Sequence, residues 1–369
     1  MGPVRVQPWL GFRDAGWYRN PDGLDDDATD FSATAGAGAR AYLAVGPKVF
    51  VALHALPEYV WWQKATERRR LNGRYGLGLF GYFNRLTVSV EATRAEARSP
   101  LSFELPREVN HRQDRAEVAA EVDLTRSLSL FGGVAEAEYA VLADGDDAGS
   151  LPLRSLDRTE RISRAGLRLA LGGKWKVGAG VERSETEFPL GQVDRGSRGT
   201  SPLFEARFES HRVTATLDVV LRSLEAREGA RFVDVDETTG GLRLEFPGNR
   251  LVGALYVRRA LGLSLETNYA YYLGDVVGLA ATVDFGERSE LLLFAETGRN
   301  DFVTLGPGIA ARRDDLRSFG AEWSLTFGRS LRLVIGAGNS QVDSNLPGAD
   351  RDTTSVRAGF VLGGGGPWT

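Results

Sequence analysis

Long runs in which apolar and polar residues strictly alternate constrain this chain more than any other feature of it. Between Arg115 and Leu124 one set is Ala116, Val118, Ala120, Val122 and Leu124, and the interleaved set is Arg115, Glu117, Ala119, Glu121 and Asp123. A period of two is the spacing at which successive side chains leave a strand on opposite faces. The pattern recurs at Leu86–Ala92, Phe204–Phe208, Val213–Leu221 and Val277–Phe285. Each run reads as a two-faced strand of about nine to twelve residues, longer than the roughly five or six of an ordinary globular strand. About 9 to 11 residues are what a tilted strand needs to cross a bilayer. The apolar sets are rich in Ala and Val, which suits contact with lipid better than the interlocking volumes of a protein core.

Helical spacing is nearly absent, and no stretch approaches the roughly 18 apolar residues of a membrane helix. Glycine is abundant, 45 of 369 residues, which points to strands and turns. The chain has no cysteine, so disulfide scaffolds, thiolate metal sites and thiol nucleophiles are excluded. Its 45 Lys+Arg against 49 Asp+Glu leave a formal charge of −4, without the basic surplus that a nucleic-acid partner requires. No secretory leader is visible, since Met1-Gly2-Pro3 runs straight into Val4-Arg5-Val6. The chain is therefore either cytoplasmic or a mature sequence whose signal peptide has been removed, and the alternation favours the second.

Eight tight connections punctuate the chain, each with a basic residue, at positions 48, 85, 126, 174, 212, 250, 288 and 329. The steps between them average about 40 residues. Each step holds one strand, a longer polar connection such as Leu142 to Asp157 with its Ala143-Asp144-Gly145-Asp146-Asp147 stretch, and a second strand. Short turns on one side and long polar loops on the other are the pattern of an outer-membrane barrel. With one strand added at each end, the count is 18 antiparallel strands, 16 being the nearest alternative, in a single domain over residues 1–369. A step near 40 also suits a propeller blade of four short strands. Here each step contains only two long runs and no blade motif recurs. Alternation begins at Val4, so no separate plug domain is expected.

Aromatic residues collect near both ends of the runs. Tyr82, Phe83, Trp175, Phe246, Phe285 and Phe327 stand beside short turns, while Trp17, Tyr18, Trp61, Trp62, Tyr139, Phe188, Tyr269, Tyr271, Tyr272 and Phe302 stand near the long loops. These read as two interfacial girdles.

The segments from Gly241 to Phe246, Asn249-Arg250-Leu251, Tyr269 to Tyr272, Asn300-Asp301-Phe302 and Ser355 to Leu362, together with the opening Pro8-Trp9-Leu10-Gly11 and Asp30-Phe31, carry a resemblance. The chain resembles outer-membrane β-barrels often linked to exopolysaccharide export. It departs from them at its end, where Gly363 to Thr369 follow Phe360-Val361-Leu362. The resemblance implies a porin-like barrel and polysaccharide or periplasmic export proteins as partners. It names no substrate.

No catalytic constellation emerges. His211 falls in a tight turn, His111 in a long polar loop, and His54 mid-strand with no serine at a spacing that would serve a hydrolytic triad. The acidic tract Asp22, Asp25, Asp26, Asp27 and Asp30 lacks calcium-loop spacing and reads as a solvated loop. Gly36-Ala37-Gly38 has no phosphate-cradle context and reads as small residues at a crowded strand crossing. No enzyme activity, cofactor or metal is expected.

The informative residues are the charges assigned to the inward face: Arg5, Arg40, Arg74, Glu91, Arg115, Glu117, Glu121, Asp123, Arg164, Arg168, Glu205, Arg207, Glu209, Asp218 and Arg222. A sealed core cannot hold that many charges, whereas a barrel of 16 to 18 strands is wide enough for an aqueous channel. The expectation is a bacterial outer-membrane barrel, with lipid bilayer and lipopolysaccharide as surroundings, passing polar solutes or exported polysaccharide. The alternative is a non-conducting barrel that anchors or sheathes a periplasmic or surface partner.

Overall fold

A computed structural model describes residues 4–21, 28–102, 104–142, 154–189, 195–266, 268–328 and 330–363. The tract Asp22 to Asp27, the stretch Ala143 to Asp147, Arg329 and residues 364–369 lie outside the described residues. Eighteen strands follow one another in chain order: β1 (Val4–Arg19), β2 (Thr29–Val45), β3 (Val49–Trp62), β4 (Arg70–Tyr82), β5 (Leu86–Ser102), β6 (Leu105–Asp123), β7 (Leu128–Val141), β8 (Arg158–Leu171) and β9 (Trp175–Glu187). The second half comprises β10 (Ser197–Glu209), β11 (Thr214–Ala226), β12 (Val235–Phe246), β13 (Leu251–Leu263), β14 (Tyr269–Asp284), β15 (Ser289–Thr304), β16 (Arg313–Phe327), β17 (Leu331–Ser344) and β18 (Arg351–Gly363).

Every strand pairs antiparallel with its neighbours in sequence, and β1 also pairs with β18 from Trp9↔Gly363 to Arg19↔Thr354. That last pairing closes the sheet into an 18-stranded barrel and leaves no open edge. Closure is what a bilayer demands, because backbone N–H and C=O groups in hydrocarbon have no water to satisfy them. The eight short connections fall between strands at one end, where β1 also begins and β18 ends. Gly172 and Gly173, between β8 and β9, take φ of +59° and +75°, a left-handed geometry that favours glycine in a tight hairpin.

The outer face is greasy. Val118, Val134, Leu167, Val181, Phe204 and Leu217 stand on consecutive strands, each 40–55% exposed. The strands run to 12–19 residues rather than nine to twelve. The surplus lies at the loop end, where the outer face changes from apolar to charged. Arg94 pairs with Asp114, Arg161 with Glu136, Arg299 with Asp315 and Arg313 with Asp301 at 2.5–2.8 Å. On β6 the outward series therefore reads Val122, Ala120, Val118, Ala116 and then Asp114, which marks the upper limit of the hydrocarbon belt.

Three expectations are corrected. His111 lies within β6, opposite Ala97 and Val141, because the β5–β6 hairpin extends as paired strand far beyond the belt. The loop-end aromatics do not form one outward girdle. Trp17, Phe31 and Trp61 pack ring to ring on the outer face, but Tyr18 stacks on Trp62 inside, and Phe188, Tyr269, Tyr271 and Phe302 are buried. Asp30 is not solvated: 5% exposed, its carboxylate accepts hydrogen bonds from the backbone N–H groups of Phe31, Lys64 and Ala65, tying the first two loops together. Gly36 and Gly38 do lie at a crowded crossing, since a Cβ on Gly38 would stand 2.8 Å from the Trp9 indole nitrogen.

Candidate functional site: the inner wall and the loop-end mouth

Directly opposed residues of an antiparallel pair share a face, so the inner wall can be followed from strand to strand. Arg5 opposes Tyr42, Arg40 opposes Gln7 and His54, and Arg74 opposes Leu56. Glu91 opposes Glu117, Arg115 opposes Thr93, Glu121 opposes Thr87, and Asp123 opposes Ser129. Arg164 faces Glu182, Arg168 faces Gly178, Glu205 faces Asp218, Arg207 faces Thr216, Glu209 faces Thr214, and Arg222 faces Glu237. The register sets all fifteen on the side away from the exposed apolar belt.

Geometry gathers part of this set into two relays. In the first, Arg168 joins Glu121 on β6 to Glu205 on β10, the latter at 2.5 Å, while its guanidinium lies 4.8 Å above the Phe131 ring. In the second, Glu182 on β9 sits between Arg164 at 2.7 Å and Arg222 of β11. Glu182 is fully buried, so its charge is tolerable only because two guanidiniums hold it. Phe131, Arg164, Arg168, Glu205, Asp218 and Arg222 border a recess of about 530 Å³. Arg115–Glu117 and Arg207–Glu209 pair along their own strands at 2.7 and 2.5 Å. Among the described residues, no ion pair joins Arg5, Arg74, Glu91, Asp123 or Asp218 to a partner.

Sequence reading missed several inner groups. Glu182 completes the second relay, Arg13 pairs with Glu58, Arg332 with Glu290, and Tyr256 donates to Glu296 at 2.6 Å. All lie in polar positions of alternating runs, so the same period would have found them. Among the described residues, no group of three or more His, Asp or Glu side chains is gathered as a metal site would need.

The loop-end mouth carries a cluster that no local pattern announces. Glu104, in the turn between β5 and β6, is 3% exposed. Its Oε2 accepts a hydrogen bond from the backbone N–H of Leu265 at 2.5 Å, and Arg351 of β18 donates to its carbonyl at 2.9 Å. Leu265 belongs to the β13–β14 connection. Around the ring, six strands (β7–β12) separate the two hairpins one way and eight (β15–β18 and β1–β4) the other, so the contact crosses the mouth almost diametrically. The receiving loop is itself braced. Arg195 donates to the carbonyls of Ser264 and Glu266 at 2.9 and 3.1 Å, and Arg312 pairs with Glu266 and with Asp314.

No protein-family model matches the chain, and no curated protein matches it either. Among solved structures it is similar to Acinetobacter baumannii OccAB3, at 12% identity and a TM-score of 0.53, over 97% of this chain and 99% of that one. It is also similar to the outer membrane protein OpdK of Pseudomonas aeruginosa, at 13% identity and a TM-score of 0.54, over 98% and 99% of the two chains. OccK2 (OpdF) of the same species matches at 13% and 0.54, over 98% of both. At such identities the likeness establishes the fold. The chain is an 18-stranded outer-membrane β-barrel, an architecture it shares with these proteins over nearly their whole length.

Proposed function

We propose that this barrel is a passive, porin-like channel for small polar solutes, with the fifteen inward charges and the Glu121–Arg168–Glu205 and Arg164–Glu182–Arg222 relays as its lining. The observation that carries the reading is a closed barrel whose wall is apolar outside and charged inside, an arrangement stable only with lipid on one face and water on the other. Because carboxylates and guanidiniums both line the wall, a solute exchanging its hydration for both donors and acceptors is favoured over a simple ion. OccK2 has been solved in complex with glucuronate, and small sugars and sugar acids are the first solutes to test.

Export of a polysaccharide, which the sequence resemblance implied, gains no support from the comparisons. The hairpin tip at Glu104 crosses the mouth, which suits a compact solute better than a polymer. The same crossing is what favours the second reading, a non-conducting barrel that anchors a partner. On either reading the barrel has no catalytic role. Its outward ion-pair collar, Arg94–Asp114 and Arg161–Glu136 among others, sits where lipopolysaccharide head groups would meet it.

Swelling of proteoliposomes tests the channel. Glucose and glucuronate should enter, and a hexasaccharide should not. Entry of the hexasaccharide at the rate of glucose would restore the polymer reading. Failure of every solute to enter, with no conductance in a planar bilayer, would favour the anchor.

A further inference from the structure

We propose that Glu104 is the bolt of a proton-operated latch: the tip of the β5–β6 hairpin docks across the mouth when its carboxyl is protonated and releases when it ionises. The inference rests on the channel reading for its consequence, but not for its geometry.

The dock is built before the bolt arrives. Ser264, Leu265 and Glu266 are fixed by Arg195 from the β9–β10 connection and by Arg312 from the β15–β16 connection, and Arg312 is fixed in turn by Asp314, to which Ser344 donates at 2.6 Å. Into this frame the hairpin brings one carboxyl group, held by the Leu265 N–H and the Ser264 hydroxyl, and one backbone carbonyl, held by Arg351. The hairpin protrudes beyond the belt and meets the dock through loop groups and side chains rather than through strand pairing, so the contact can break without disturbing the barrel ladder.

The charged groups facing Glu104 are Arg312 and Glu266, with Arg195, Arg351 and Tyr272 behind them. Burial pushes the Glu104 carboxyl up from its ordinary 4.5 to about 7. The Leu265 N–H, the Ser264 hydroxyl and Arg312 pull the other way and do not overcome it. The docked state therefore binds a proton more tightly than the released one. Docking is strongest below pH about 4.5, weakens between there and about 7, and is weakest above. Across that window the docked-to-released ratio falls about 300-fold, tenfold per unit of pKa. Acidification shuts the mouth and neutrality loosens it.

Hydrogen exchange of the hairpin tip, residues 99–109, tests this in lipid-reconstituted full-length protein at pH 5 to 8. Wild type, Glu104→Gln and Glu104→Ala are compared at each pH, so that the intrinsic dependence of exchange cancels. Wild type should match Glu104→Gln at pH 5 and approach Glu104→Ala by pH 8. Wild-type protection that keeps a constant ratio to both variants over the whole range overturns the latch. Conductance read alongside should rise with pH in wild type and stay high in Glu104→Ala. Silence of all three proteins at every pH would remove the channel reading, while the exchange ratios still decide whether the latch exists.

Discussion

Replacing Glu182 by Gln removes one negative charge from the most enclosed point of the inner wall and leaves its shape almost intact. Glu182 is fully buried, whereas its partners differ: the Arg164 side chain is 52% exposed and that of Arg222 20%. A hydrogen bond to a charged group contributes about 1.5–3 kcal/mol. For Arg164 most of this is recovered from water, leaving at most about 1 kcal/mol. Arg222 has little water to turn to, and a neutral Gln oxygen together with its 3.1 Å bond to Thr239 compensates its charge only in part, so its share stays near 2 kcal/mol. Glu182→Gln should therefore lose about 2–3 kcal/mol of stability. Guanidinium unfolding of the barrel in lipid vesicles, followed by tryptophan emission, measures it. The companion Glu182→Gln, Arg222→Met should recover part of the loss, because it removes the stranded guanidinium. A single mutant within about 0.5 kcal/mol of wild type would refute the reasoning, since water would then already screen the pair.

Two further outcomes follow from the same wall. Arg168→Met strands Glu121 and Glu205 without their shared cation, so the reversal potential under a salt gradient should move toward cation preference, and an unchanged potential would place the relay outside the ion path. Val118→Arg on the outer belt should cost about 2–4 kcal/mol near the bilayer midplane, while Ala119→Arg, one residue away and facing inward, should cost under about 1; equal costs in vesicle unfolding would contradict the assignment of faces.

The barrel was legible because its signals are local. Alternation marks each strand, and the basic short turns from Lys48 to Arg288 fall between strands wherever they are described. The stretch from Leu251 to Tyr272, whose division decides between 18 strands and 16, breaks after Leu263, where Ser264 to Glu266 also form the dock for Glu104. Inward charges were legible for the same reason, since the parity of a strand fixes which side a residue takes. Partnership was not, because Arg168 meets Glu121 and Glu205 across intervening strands, at offsets that only the register supplies. Glu104 was invisible altogether: its partner lies 161 residues away, and the two meet only once the ring has closed. The loop-end aromatics misled because a girdle and a mouth lining draw on the same residues at the same strand ends, as Trp61 and Trp62 illustrate by facing opposite ways.

The chain lacks cysteine, so a single introduced thiol reports its own surroundings. In reconstituted vesicles, Glu117→Cys should react with a water-soluble maleimide while Val118→Cys resists it, and a fluorophore carried at 118 should be quenched by brominated acyl chains while one at 117 is not. The reverse pattern, or equal reaction of both with the aqueous reagent, would contradict a barrel with lipid outside and water within.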